Sequence, residues 1–212
     1  GSMMRLTVSR YHTPSGRCIQ KPYADGADDN YFHDMDRRYA AGEFSSADSI
    51  HLNDSLRYFT LRNHRPVYGG GGIMPDRFVP IDTTYYSTYY RDMVAKGILS
   101  RFCFNYVDEH RASLRKQYKD ADRFITGFNV GEDMMQDLIE FGEKEGVKYN
   151  PEQYALSREY MTGIVKALIG RDLFDQSTYF RIANNLNPIY KEATALIKNS
   201  DEYDRVLSGK KE

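Results

Sequence analysis

Apolar and polar positions follow two different rhythms in this chain. Over roughly the first eighty residues they alternate in short runs. Leu6 and Val8 interleave with Thr7 and Ser9, the period of two expected of a half-buried strand, and Thr13-Pro14-Ser15-Gly16 supplies turn chemistry before a return from Arg17 to Gln20. Between Asp28 and Asp48, Tyr31, Phe32, Met35 and Tyr39 recur every three or four residues, which predicts one short helix ended by Gly42. Leu56 to Leu61 reads as a strand again and Asn63-His64 stands where a turn is needed. Val67-Tyr68 then leads into Gly69 to Gly72, and Phe78-Val79 predicts a last short strand before Pro80.

Beyond Asp82 the period becomes helical. Tyr85, Tyr86, Tyr89, Tyr90 and Met93 make one stripe; Leu99, Phe102, Cys103, Tyr106, Val107 and Leu114 make a longer one, with a break near Gly97. Met134, Met135, Leu138, Ile139 and Phe141 predict a helix that ends at Gly142 or Gly146. Asn150-Pro151 pairs an N-cap residue with proline at the first helical position, and Tyr154, Met161, Ile164, Val165 and Leu168 complete that helix's buried face. Asn187-Pro188 repeats the cap before Ile189, Ala193, Leu196 and Ile197. The expected architecture is α+β: a small mixed β-sheet over residues 4–80, then a larger α-helical domain over 81–207. Residues 1–3 are expected to be a vector remnant and residues 208–212 a polar tail.

Composition narrows the function classes. The 212 residues carry 29 Lys and Arg against 30 Asp and Glu, a net charge of −1, which argues against a nucleic-acid partner. No apolar run approaches the length of about 20 residues that spans a bilayer, so no membrane span is expected. Cys18 and Cys103 lie far apart with no CxxC spacing and are expected to be two buried free thiols. With 18 Tyr, 11 Phe and no Trp, much of it at helical spacing, the aromatic content points to packing between helices rather than to a cofactor.

The candidate chemistry is sparse. Four consecutive glycines permit unusual backbone angles, yet neither GxxxxGK[ST] nor GxGxxG before a helix is present, and a glycine bulge or a tight crossing between two strands is expected at Gly69 to Gly72 rather than a phosphate cradle. Ser113 with Lys116 and Ser208 with Lys211 have the Ser-x-x-Lys spacing that puts both on one helical face, but the first lies in a charged stretch and the second in the tail. His12, His33, His51, His64 and His110 show no ligand spacing, so no metal site and no cofactor are expected.

Two separated blocks carry a resemblance. Arg10-Tyr11-His12-Thr13-Pro14-Ser15-Gly16-Arg17-Cys18-Ile19-Gln20 resembles the "YYTPSGRxIQ" stretch of the carboxyl-terminal processing (tail-specific) serine peptidases, with His12 in place of the second tyrosine. Arg65-Pro66-Val67-Tyr68-Gly69-Gly70-Gly71-Gly72-Ile73-Met74-Pro75-Asp76 resembles their "GRxVYGGGGIxPD" stretch, with His64 where the family usually has glycine. The resemblance covers about the first eighty residues. The helical remainder is similar to the C-terminal extension of the Bacteroidetes-type members only in its tyrosine-rich texture. The signature positions are Thr13, Pro14, Ser15, Gly16, Arg17, Gly69, Gly70, Gly71, Gly72, Pro75 and Asp76, and their expected role is structural.

In that family the nucleophilic serine and its lysine base precede the Thr-Pro-Ser-Gly block, so the resemblance implies that the dyad lies upstream and that no catalytic residue is present in this chain. Ser15 sits in a proline-glycine turn beside Arg17, which stays protonated and cannot serve as a base. By resemblance the intact protein is a serine endopeptidase that recognises polypeptide C-terminal tails, has an upstream protease core and a PDZ domain, and is periplasmic or otherwise exported. Polypeptide substrates of that parent are its expected partners, and a homo-oligomer is the further partner considered. A reading from another class stands beside it: a non-enzymatic interaction or oligomerisation module whose Tyr- and Met-rich helices bind a partner, with the protease-like strands only a scaffold.

Overall fold

The structure, a computed structural model, describes residues 2–6, 8–22 and 31–209. Expectations that fall on Gly1, Thr7, residues 28–30 and residues 210–212, Lys211 among them, lie outside the described residues. The chain forms two compact units: residues 1–81 together with 194–212, and residues 82–193.

In the first unit, α1 (Asp34–Ala40) is a short helix that ends where Gly42 turns with φ 80°. β1 (Arg57–Phe59) and β2 (Pro66–Tyr68) pair antiparallel, with Arg57 opposite Tyr68, Tyr58 opposite Val67 and Phe59 opposite Pro66. The connection is closed by Thr60, whose N–H donates to Arg65 O at 2.9 Å and whose Oγ1 accepts from Arg65 N at 3.0 Å. Within it His64 holds φ 49°, a left-handed angle uncommon for a residue with a Cβ.

The expected mixed sheet is therefore reduced to this two-stranded antiparallel one. Leu6, Val8 and Phe78-Val79 lie in no strand, and the return through Arg17 to Gln20 is reduced to a single bridge between His12 and Cys18. The alternation at Leu6 and Val8 is real, but alternation makes a strand only where a neighbour takes up the backbone N–H and C=O groups. Leu6 and Val8 are 75% and 85% exposed.

The second unit holds α2 (Thr88–Ala95), α3 (Ile98–Gln117), α4 (Ala121–Gly127), α5 (Glu132–Lys144), α6 (Pro151–Leu173) and α7 (Gln176–Ala183). The boundaries follow cap chemistry. Ser87 Oγ accepts from Tyr90 N at 3.1 Å, Asp120 from Arg123 N at 2.9 Å, Asn150 from Gln153 N at 3.0 Å and Asp175 from Thr178 N at 2.8 Å. The break between α2 and α3 falls at Gly97, in the left-handed region. Gly142, one of the two expected ends of α5, lies inside that helix; a Cβ there would meet Met93 Sδ at 2.8 Å, so its lack of a side chain serves a close approach of α2.

The middle of this unit is α6. Over its second half Ile164, Val165, Ala167, Leu168, Ile169 and Leu173 are all buried, on nearly every side of the helix, which marks a helix enclosed by others. It packs against α2, α3, α4 and α7. Each of these Ile, Val and Leu side chains contributes about 1.5–3 kcal/mol by its burial. One buried polar contact joins the layers: Ser157 Oγ on α6 lies 2.7 Å from Ser87 Oγ and donates to Tyr85 O at 2.6 Å.

The chain continues through α8 (Pro188–Lys198), whose Asn187 cap accepts from Ile189 N at 2.9 Å, and α9 (Ser200–Ser208). No residue of either helix is fully buried.

Candidate functional site

The fold brings together much of the two signature blocks. Thr13 to Arg17 form a tight loop: Gly16 N donates to Thr13 O at 2.8 Å and Thr13 N to Arg17 O at 2.9 Å, with Pro14 and Ser15 at its tip. The chain leaving this loop meets the glycine run. Gly70 N donates to Cys18 O at 2.9 Å, Gly72 N to Ile19 O at 2.7 Å, and Gly69 N to Leu56 O at 3.0 Å. Arg17 reaches across the same junction, its Nη1 3.4 Å from Tyr68 O, while its Nε is buried with no hydrogen-bond partner.

The glycine run is thus a backbone crossing. Three of its four N–H groups are occupied by carbonyls and so cannot cradle a phosphate. Gly70 has φ 81° and a Cβ there would sit 2.6 Å from Leu56 Cδ1; a Cβ at Gly69 would sit 2.8 Å from Cys18 O. A Cβ at Gly71 would meet nothing within 4 Å. Asp76, at the end of the second block, pairs with Arg65, the residue before β2, and Pro75 beside it is exposed.

The nucleophile candidates remain unactivated. Ser15 Oγ lies 2.9 Å from Thr13 Oγ1, with no base beside it. Ser113 Oγ donates to His110 O and Ser208 Oγ to Arg205 O, both on the exposed surface, and among the described residues neither bonds a lysine. The lysine that sequence reasoning missed is Lys166 on α6. Burial lowers its pKa, yet its Nζ donates to Ile125 O at 2.7 Å and no serine hydroxyl is bonded to it. The signal for it was present in the apolar run Val165, Ala167, Leu168 that surrounds it.

His33 pairs with Asp36, and His110 stacks on Tyr106 with ring centroids 4.5 Å apart. His12 lies in the bridge to Cys18, and His51 and His64 are exposed. Among the described residues no three His, Cys, Asp or Glu side chains gather as a metal site would need. Both cysteines are free, but Cys18 is only partly buried, as the first unit fully encloses no side chain among its described residues. Cys103 is fully buried, and desolvation pushes its thiol pKa up to about 12, far from a reactive thiolate.

In the helical unit the tyrosines form a packed aromatic layer. Tyr85 stacks on Tyr160 at 3.8 Å between centroids, and Tyr90 meets Tyr85, Tyr86 and Tyr160 edge-on. Desolvation raises the phenol pKa of Tyr89 and Tyr90 to about 12 and that of Tyr160 higher still, so all three stay neutral. A groove of about 430 Å³ is lined by Arg101, Phe104, Phe141, Glu145 and Arg171, within the size of small-molecule sites. Its charges are already matched: Arg101 bonds Glu145 at 2.7 Å and Arg171 bonds Asp172 at 2.7 Å. It offers no unpaired cation to hold an anionic ligand.

Residues 89–175, all within the helical unit, match a family described as one of unknown function (DUF8443). No curated protein and no solved structure matches the chain.

Proposed function

We propose that the first unit is the closing, non-catalytic part of a carboxyl-terminal processing serine peptidase, whose serine and lysine are supplied by sequence upstream of Met4. The observation that carries this reading is a mismatch in the first unit. It holds both signature blocks together through backbone bonds to the glycine run, yet among its described residues no side chain is fully buried. Leu6, Val8, Tyr11, Leu61 and Ile73 stand more than half exposed. A unit with that much apolar surface outside is one that a further surface completes. In the intact protein that surface is the protease core, in an exported enzyme that cleaves polypeptides by their C-terminal tails and carries a PDZ domain.

The test is twofold. The reading frame upstream of Met4 should encode a serine motif and then a lysine motif, and the joined protein should be labelled by a fluorophosphonate probe at that serine, while this chain alone takes up none. A frame that begins at Met4, or stoichiometric labelling of a serine within this chain, contradicts the reading.

A second reading is favoured by the helical unit. It closes its own core and contains the whole of the matched family segment, as a self-standing interaction module would. Residues 82–193 expressed alone should then fold, with a cooperative melting transition, and associate with themselves or a partner; failure to fold would remove it.

A further inference from the structure

We propose that α9 is a releasable strap on the first unit, and that Arg65 is the pivot joining it to the Pro75–Asp76 segment; this stands whether or not the peptidase reading holds. α9 has nine residues, too few for a stable helix in water, and none is fully buried, so neither propensity nor a core explains it. Its own N-terminus is formed by a reciprocal cap: Glu202 N donates to Asn199 Oδ1 at 3.3 Å and Asn199 Nδ2 donates to Glu202 Oε2 at 3.2 Å.

Within α9, Arg205 also faces Glu202 at 3.9 Å, and further support comes from residues more than a hundred positions away in sequence. Arg77 pairs with Glu202 in the first turn. At the other end two of the last carbonyls accept from the hairpin connection: Asn63 Nδ2 donates to Leu207 O at 2.8 Å, and Arg65 Nη1 lies 3.4 Å from Val206 O, which also accepts from the C-cap Gly209 N at 3.1 Å. The two cationic contacts sit at opposite ends, with Arg77 on a carboxylate and Arg65 on the negative end of the helix dipole.

Arg65 is the pivot because one guanidinium nitrogen serves two segments. The same Nη1 bonds Asp76 and Val206 O, and the side chain is only 18% exposed. The fit is tight: Gly209 ends α9 with φ 70°, and a Cβ there would lie 2.5 Å from Arg65 Cγ. Loss of the strap therefore removes one of the two acceptors that hold the guanidinium and leaves its ion pair with Asp76, whereas loss of Arg65 itself removes both. The contacts are polar and largely solvent-facing, so the docking weakens with salt.

Hydrogen exchange on the full chain tests this. In Arg77→Glu the amides of residues 200–208 should exchange about tenfold faster than in the native chain, although α9 itself is unaltered, while Arg77→Lys should stay close to native. Arg65→Ala should speed both 200–208 and 73–79, whereas Arg77→Glu should speed mainly the former. Raising salt from about 0.1 M to about 1 M, which shortens the screening length from roughly 10 to roughly 3 Å, should act like Arg77→Glu. Exchange in α3 and α6 should not change in any variant, which shows that the protein remains folded. Protection of α9 that is indifferent to both Arg77→Glu and salt would overturn the strap. Arg65→Ala loosening α9 but leaving 73–79 native would overturn the pivot.

Discussion

The two units spend their apolar residues differently. In the helical unit Phe124, Met93, Ile98, Leu138, Met161 and Ile169 are wholly enclosed, whereas among the described residues of the first unit none reaches full burial. The first unit is instead organised by backbone hydrogen bonds, glycine crossings and ion pairs such as Lys21–Asp34 and Arg38–Glu43. Dispersion and hydrophobic transfer need enclosure; hydrogen bonds between backbone groups do not. A segment can thus have a defined chain path with little stability of its own, and the contrast locates where substitutions should be felt.

The largest expected effect lies in the helical core. Phe124→Ala, which removes a ring stacked on Phe128 at 4.7 Å and wholly enclosed, should destabilise by about 3–5 kcal/mol, while Ile73→Ala should change stability by less than about 0.5 kcal/mol. Urea unfolding followed by circular dichroism reads both. Equal losses would mean that the first unit has a core after all.

Gly70→Val comes next. With a positive φ and Leu56 Cδ1 in the way, it should cost about 1–3 kcal/mol, against almost nothing for Gly71→Val, which meets open space. A melting temperature unchanged in Gly70→Val would break the crossing.

Asn150→Ala should cost about 1 kcal/mol, by removing the cap of α6, and should be read in the melting of the helical unit. The least visible effect at neutral pH belongs to Tyr89 and Tyr90. Their folded pKa of about 12 exceeds the ordinary phenol value near 10, so the stability they contribute is complete below about pH 10 and is lost as pH rises from about 10 to 12. Alkaline absorbance titration should show these two phenols ionising late, together with loss of helical signal; early ionisation on an intact fold would contradict their burial.

The helical half was largely legible. The break at Gly97 and the Asn-Pro starts of α6 and α8 are where cap chemistry puts them, because local rules decide helix ends. The short helices α4 and α7 were missed because each buries only one or two side chains, Phe124 in the first and Thr178 and Ile182 in the second, and so shows no apolar stripe. In the first unit β1, β2, the turn at His64 and α1 were readable. The strands at Leu6–Ser9 and Phe78-Val79 were not realised, because pairing depends on a neighbour that periodicity does not describe. His64 is the informative exception: the resembled peptidases usually place glycine there, and its φ of 49° gives the physical reason. For the candidate site, the convergence of Arg17 and Cys18 with the glycine run was not legible, because bonds between segments 51 residues apart make it, and the double role of Arg65 left no trace in spacing.

The first unit is also discontinuous: its last helix returns after the whole helical unit has been traversed. Joining the hairpin connection to α9 brings together residues 141 and 144 positions apart, an entropic cost that grows as the logarithm of the length of free chain between them. That cost is smaller once the intervening chain is compact, and α2 to α7 can become so through contacts local to residues 82–193. During refolding, the amides of α3 and α6 should therefore gain protection before those of α9, and a variant that slows formation of the helical core should delay the closure of Asn63 and Arg65 on the chain's last turn by a similar factor.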